Sequence, residues 1–273
     1  MLIPPADAYQ STLAVVLLPL AVWSTISSLE LIAARHSFLP GSPLGVDLAS
    51  LTRGTIFPRI LGSRFAAGPW LSIIAMVRLT AGLLAPVSEW IGLPQATGPL
   101  LAVTVACTIW LSILVGGSDG ADKIALVACT AAGLIAAGQA TNDRWLCLAG
   151  LAWGAGQATI AYATSGLTKL ATGFWRDGTA VTAVMSSYRS GHALAASAVR
   201  LPGAAIGMAW AIMSVETLFP VALVVPQPIS LGILGAMCAF HLATAVTMGL
   251  NTYPWAFAAT YPCVLMANSI LTG

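Results

Sequence analysis

The chain has 273 residues, of which 58% are hydrophobic and only 7% charged, with a net charge of +2 and a mean hydropathy of +0.88. A water-soluble domain does not carry that balance, and no nucleic-acid partner is expected of it. The apolar residues run continuously instead of alternating with a period of two, so the long runs read as membrane-spanning helices and not as strands of a barrel.

In chain order, the N-terminus starts Met1-Leu2-Ile3-Pro4-Pro5 with Asp7 and has no basic stretch. The apolar run that follows is long enough to span, so a retained first helix is expected in place of a cleaved signal peptide. Spans are predicted over 12–34, 69–92, 99–115, 123–140, 145–170, 203–225, 229–250 and 252–271, about eight in all. The last two are separated only by Asn251, Thr252, Tyr253 and Pro254, which fits a tight turn or a kink. Two longer polar stretches remain. Residues 35–68 hold Pro40, Gly41, Pro43 and Pro58 among Arg53, Arg59 and Arg64, the composition of an irregular or re-entrant connection with a short interfacial helix. Residues 171–202 mix apolar side chains with Arg189, His192 and Arg200 and suit an amphipathic segment along the membrane surface. The fold class is therefore all-α, a polytopic transmembrane helix bundle with two longer membrane-side loops.

Five cysteines, Cys107, Cys129, Cys147, Cys238 and Cys263, form no C-x-x-C pair and fall in apolar helical sequence, so free thiols are expected. No His, Cys or carboxylate spacing points to a metal site. With eight spans, one side of the membrane would receive Arg35, Arg53, Arg59, Arg64, Lys123, Arg176, Arg189 and Arg200, and the other only Arg144. The positive-inside rule puts the Arg-rich side in the cytoplasm with both termini outside.

Ionisable residues inside the spans carry the most information, because a charge at the bilayer centre costs about 2.5–3.5 kcal/mol on the insertion scale. They are Arg78, Lys169, Glu216 and His241, with Glu30 and Glu89 nearer span ends at headgroup level. Arg78 and Glu216 should turn away from lipid, at least one of them toward a polar partner on another helix. On one helix face, Tyr162, Gly166 and Lys169 fall within a narrow stripe at 100° per residue. Gly166 leaves room there for a ligand or a crossing helix, and Lys169 could equally snorkel to the interface.

The stretch Tyr162-x3-Gly166-x2-Lys169-Leu170 followed by Trp175 and Gly178, the later Glu216-x3-Pro220, and Phe240-His241 leading into Met248-Gly249-Leu250-Asn251 resemble the HTTM (horizontally transferred transmembrane) family. This is the membrane domain shared by bacterial proteins and vitamin K-dependent γ-glutamyl carboxylase. The resemblance covers roughly residues 116–262. It implies a single transmembrane domain over 1–273, in a bacterial cytoplasmic (inner) membrane. In the carboxylase the lysine matching Lys169 is the proposed base that deprotonates vitamin K hydroquinone. Gln157, Tyr162, Trp175, Gly178 and His241 also occupy positions where the family has the same residue types. Lys169 and His241 are therefore the catalytic candidates, and Tyr162, Gly166, Trp175, Glu216 and Arg78 the candidates for lining a cavity that holds a quinone-like or lipid ligand.

Two departures stand out. Between the fourth and fifth spans, where the carboxylase has a histidine, this chain reads Gly138-Gln139-Ala140-Thr141-Asn142-Asp143, and it ends at Gly273 without the carboxylase's lumenal β-rich portion. Carboxylation of a protein substrate is not expected. The family orientation places the N-terminus in the cytosol and the Arg-rich loops outside, against the charge rule, and is preferred because long loops translocate with less regard for charge. Three functional classes stay open: an HTTM-type enzyme or cofactor-binding protein, a non-catalytic subunit or scaffold that packs against other membrane subunits or assists a secreted peptide, and a small transporter. The transporter ranks last, because no repeat halves or paired broken helices are seen. Membrane lipids are partners in each case. Topology further predicts that Lys169 and His241 approach one cavity on the side of the 35–68 loop.

Overall fold

The computed structural model describes residues 4–38, 42, 69–115, 118–187 and 193–273. Most of the 35–68 connection, with Arg53, Arg59 and Arg64, lies outside the described residues, as do Arg189 and His192. The described chain is all-α: α1 Ala6–Ala33, α2 Trp70–Trp90, α3 Thr97–Leu114, α4 Gly120–Thr141, α5 Arg144–Ala171, α6 Gly173–Arg176, α7 Thr179–Met185, α8 Ala193–Ala198, α9 Ala204–Leu218, α10 Gln227–Met248, α11 Tyr253–Ala258 and α12 Tyr261–Thr272. Among the described residues, seven helical segments are long and apolar enough to cross a membrane: Ala6–Ala33, Trp70–Trp90, Pro94–Leu114, Gly120–Thr141, Arg144–Ala171, Ala204–Leu223 and Gln227–Met248. The chain is a polytopic membrane protein.

The expected eighth span, 252–271, is a correction. It breaks into α11 and α12 around Ala259 and Thr260, with Pro254 and Pro262 each in the first turn of its helix. A proline has no N–H to give and its ring crowds the preceding turn, so it starts a helix well and interrupts one badly. At 12 residues α12 is about 18 Å long, short of the hydrocarbon core.

Two compact units emerge, with the boundary inside α5: residues 5–150, and residues 151–273 together with Pro4. In the N-terminal unit α1 packs on α2, α2 on α3, α3 on α4, and α4 returns to α1, closing a four-helix bundle. The turn from α4 to α5 is set by two residues. Asn142 takes the left-handed conformation (φ 54°) that ends α4, and the Asp143 carboxylate accepts from the backbone N–H groups of Trp145 (2.9 Å) and Leu146 (3.2 Å) at the start of α5. Asparagine tolerates that conformation better than other residues with a Cβ.

In the C-terminal unit α9 packs on α6 and α7 and runs on into a 3₁₀ helix, Phe219–Leu223. The described part of 171–202 is thus three short helices, α6 and α7 packed on α9 and α8 packed on α7, with Val181 and Val199 in one buried cluster with Ala209 and Met213. Gly178 permits this approach: its φ is +78°, and a Cβ there would lie 2.7 Å from the backbone nitrogen of Ile206. Outside the spans, the Asp177 carboxyl is held below the usual carboxylate range, first of all because the Thr179 backbone N–H donates to it. α10 packs on α11, α12 and α9. Asn268 of α12 donates to the carbonyls of Ala222 (3.0 Å) and Val225 (2.7 Å), which the end of the 3₁₀ helix leaves open. Large apolar side chains remain exposed on α9 and α10, among them Ile206, Trp210, Leu231 and Val246, as lipid-facing helices require.

All five cysteines are free and lie in helices: Cys107 in α3, Cys129 in α4, Cys147 in α5, Cys238 in α10 and Cys263 in α12.

Candidate functional site

The stripe on α5 is polar at two levels. At its lower level the Lys169 ammonium donates to the Glu216 carboxylate (2.5 Å) and to the Ser165 hydroxyl one turn back (2.6 Å). The side chain of Lys169 is 16% exposed and that of Glu216 5%, so the pair sits at the edge of the packed interior. The Lys169 nitrogen also lies 5.1 Å from the Trp175 ring centroid, within cation–π range. Among the described residues two of the ammonium's three N–H groups are thereby directed at oxygen acceptors.

Seven residues earlier on α5, about 10 Å along the axis, Tyr162 forms the second level. Its hydroxyl is 2.8 Å from Nε2 of His241 on α10 and 2.9 Å from the hydroxyl of Tyr261 on α12. Rings enclose this trio. Phe219 lies 4.2 Å and Phe257 5.1 Å from the Tyr162 ring, and Phe257 stacks on His241 at 4.0 Å. Nδ1 of His241 is buried and has no hydrogen-bond partner among the described residues. Lys169 and His241 thus share the α5 face through separate partners.

Between the levels, Gly166 is where α9 crosses. A Cβ at Gly166 would lie 2.5 Å from the backbone nitrogen of Thr217 and 3.0 Å from the carbonyl carbon of Glu216. Of the two uses foreseen for this glycine, the space is taken by the crossing helix. That contact sets Glu216 opposite Lys169, and Phe219, three residues on, beside Tyr162.

Arg78 belongs to the other unit. It is 1% exposed, donates from Nε to Ser28 (3.0 Å) and from a terminal nitrogen to Ser27 (2.9 Å) on α1, and lies 5.3 Å from the Trp23 ring centroid. Both Arg78 and Glu216 turn away from lipid and find partners on other helices, as the cost of an intramembrane charge demands. Glu89, near the end of α2, accepts from the Thr97 hydroxyl (2.5 Å). No group of three or more His, Cys, Asp or Glu side chains suited to a metal ion occurs among the described residues.

Sequence reasoning passed over Tyr261, Ser165, Phe219 and Phe257, as well as the serines that receive Arg78. Ser165 was legible as the i−4 neighbour of Lys169, and Ser24-x2-Ser27-Ser28 as a polar stripe in an apolar helix. Tyr261 carried no local signal beyond being a phenol in an apolar segment.

The Tyr162 hydroxyl joins two buried polar groups, so Tyr162→Phe should leave both His241 and Tyr261 short of a partner. A loss of about 1–3 kcal/mol is expected, because the deserted groups bear their desolvation cost. Equilibrium unfolding in mixed micelles checks it, with Phe257→Leu as a control that removes ring contact but no hydrogen bond.

Comparison of the chain with protein-family models, with curated proteins and with solved structures finds no significant match.

Proposed function

We propose that this membrane protein is of the HTTM type and binds a quinone-like molecule or a lipid head group beside Lys169, with Trp175 and the Lys169–Glu216 pair as the contact surface. The observation that supports this most is the ion pair itself. Holding two charges in a spanning unit is costly, and two well-packed apolar side chains would join α5 to α9 at least as stably. A pair kept in spite of that cost, at the partly exposed end of a helix, is suited to meeting a polar ligand. The Trp175 ring offers a flat face to a ring system, and the ammonium has a further N–H for a carbonyl or hydroxyl oxygen. The Tyr162–His241–Tyr261 trio deeper on the same stripe supports the family resemblance, since Tyr162 and His241 are two of the matching positions.

A second reading, a non-catalytic subunit or scaffold serving other membrane subunits or a secreted peptide, is supported by the close packing. Tyr162 is wedged among Phe219, Phe257 and His241, and α9 fills the space over Gly166. The two readings separate on ligand binding. Titrating a short-chain quinone into the protein in nanodiscs should give saturable quenching of tryptophan fluorescence, weakened at least tenfold by Lys169→Ala with membrane insertion unchanged. The scaffold reading expects no saturable quenching in either protein.

A further inference from the structure

We propose that the N-terminal unit holds one aminophospholipid, with its head group in a cavity at one end of the four-helix bundle and an acyl chain in a groove along α3 and α4. This site belongs wholly to residues 5–150 and does not depend on the Lys169 reading.

The cavity measures about 600 Å³, the size of ordinary small-molecule sites, and is formed where the start of α1, the end of α2, the end of α4 and the start of α5 meet. Its polar lining includes Asp7, Gln10, Glu89, Gln139 and Arg144. Tyr9 lines it as well, 1% exposed, and the Tyr9 hydroxyl has no hydrogen-bond partner among the described residues. A buried phenol left unsatisfied in the lining of a polar cavity marks a place for a ligand oxygen or nitrogen.

The lining carries both signs of charge. Arg144 suits a phosphate, and Asp7 and Glu89 suit a primary ammonium that can donate hydrogen bonds. A zwitterion of phosphoethanolamine type satisfies both.

An apolar groove of about 650 Å³ shares Pro94, Gln95 and Ala140 with the cavity, so the two adjoin at these residues. From these residues it runs along α3 as far as Ile109 and along α4 as far as Cys129. Each path is 11 residues from the helix-end level, Gly98 to Ile109 and Ala140 to Cys129, or about 16 Å. That is close to half of the roughly 30 Å hydrocarbon core, the depth of one leaflet. The level of the head-group end is marked independently by Trp90 and Trp145, 87% and 68% exposed, which directly follow Glu89 and Arg144. Exposed tryptophans of this kind sit at the membrane–water interface. A polar cup at headgroup depth beside an apolar groove one leaflet long matches a single phospholipid better than a soluble zwitterion.

Native mass spectrometry of the full chain with added phosphatidylethanolamine, phosphatidylglycerol or glycerophosphoethanolamine tests the assignment. One phosphatidylethanolamine should be retained at least tenfold better than phosphatidylglycerol, and the soluble head group should not displace it. Arg144→Ala and Asp7→Asn should each reduce that preference. Gly133→Leu should abolish retention by filling the groove without disturbing the bundle, since a Cβ at Gly133 meets nothing within 4 Å. Circular dichroism and a monodisperse elution profile verify that each variant folds. Equal retention of the two lipids, displacement by the soluble head group, or unchanged retention in a folded Gly133→Leu protein would overturn the proposal.

Discussion

Glu216→Leu is expected to destabilise the C-terminal unit by about 3 kcal/mol, near the lower end of the 3–5 kcal/mol that follows from breaking a buried ion pair on one side. The loss comes from what remains: the Lys169 ammonium keeps Ser165 but loses its carboxylate, in a position where water reaches it only in part. Partial exposure is what limits the effect, because a lysine near a helix end can swing its head toward the interface. Removing both charges should reverse it. Lys169→Leu/Glu216→Leu replaces the pair by two apolar side chains of suitable volume, and such exchanges are neutral or stabilising in many proteins. A double-mutant cycle from equilibrium unfolding in mixed micelles measures the coupling. A double variant no more stable than Glu216→Leu alone would show that the polar contact holds α5 to α9.

Gly166→Val is expected to cost about as much by a different route. The obstacle to a side chain here is the backbone of Thr217 and Glu216, and backbone does not rotate aside as a flexible side chain does. To admit even the Cβ, α5 and α9 must separate, and overpacking of this kind costs about 1–3 kcal/mol, occasionally more. Separation also draws Glu216 away from Lys169 and Phe219 away from Tyr162, so both levels of the stripe loosen together. Gly166→Val should therefore be strongly non-additive with Glu216→Leu, whereas Tyr162→Phe, two turns from Lys169, should add to Glu216→Leu more nearly independently. Unfolding of the single and paired variants distinguishes these outcomes.

Much of this was legible in the chain because membranes make two rules strict. Backbone polar groups must be satisfied within each helix, so the seven long apolar runs could be found from hydropathy alone. Charges must leave the lipid, so Arg78 and Glu216 could be assigned inward-facing positions before any partner was known. Periodicity put Tyr162, Gly166 and Lys169 on one face, and that stripe is the one along which Glu216, Phe219 and His241 assemble. What periodicity could not give was the occupant of the space over Gly166, since a glycine admits a ligand and a helix equally well. Nor did hydropathy reveal the break at Ala259 and Thr260: the segment 252–271 is apolar enough to average as a span, and only Pro254 and Pro262 betray it. Tyr261 entered the site through that break, from a helix that sequence reading had joined to its neighbour. The head-group cavity was hidden for a related reason, because its lining comes from the ends of separate helices and no short motif contains it.

Quinone binding to the Lys169→Leu/Glu216→Leu double variant tests the functional account most directly, because it separates the pair's role in binding from its role in holding the fold. In nanodiscs, the wild-type protein should give saturable, one-to-one quenching of tryptophan fluorescence by a short-chain quinone. The double variant should remain as stable as the wild type and lose at least tenfold in affinity. A stable double variant that binds the quinone as tightly as the wild type would contradict the account.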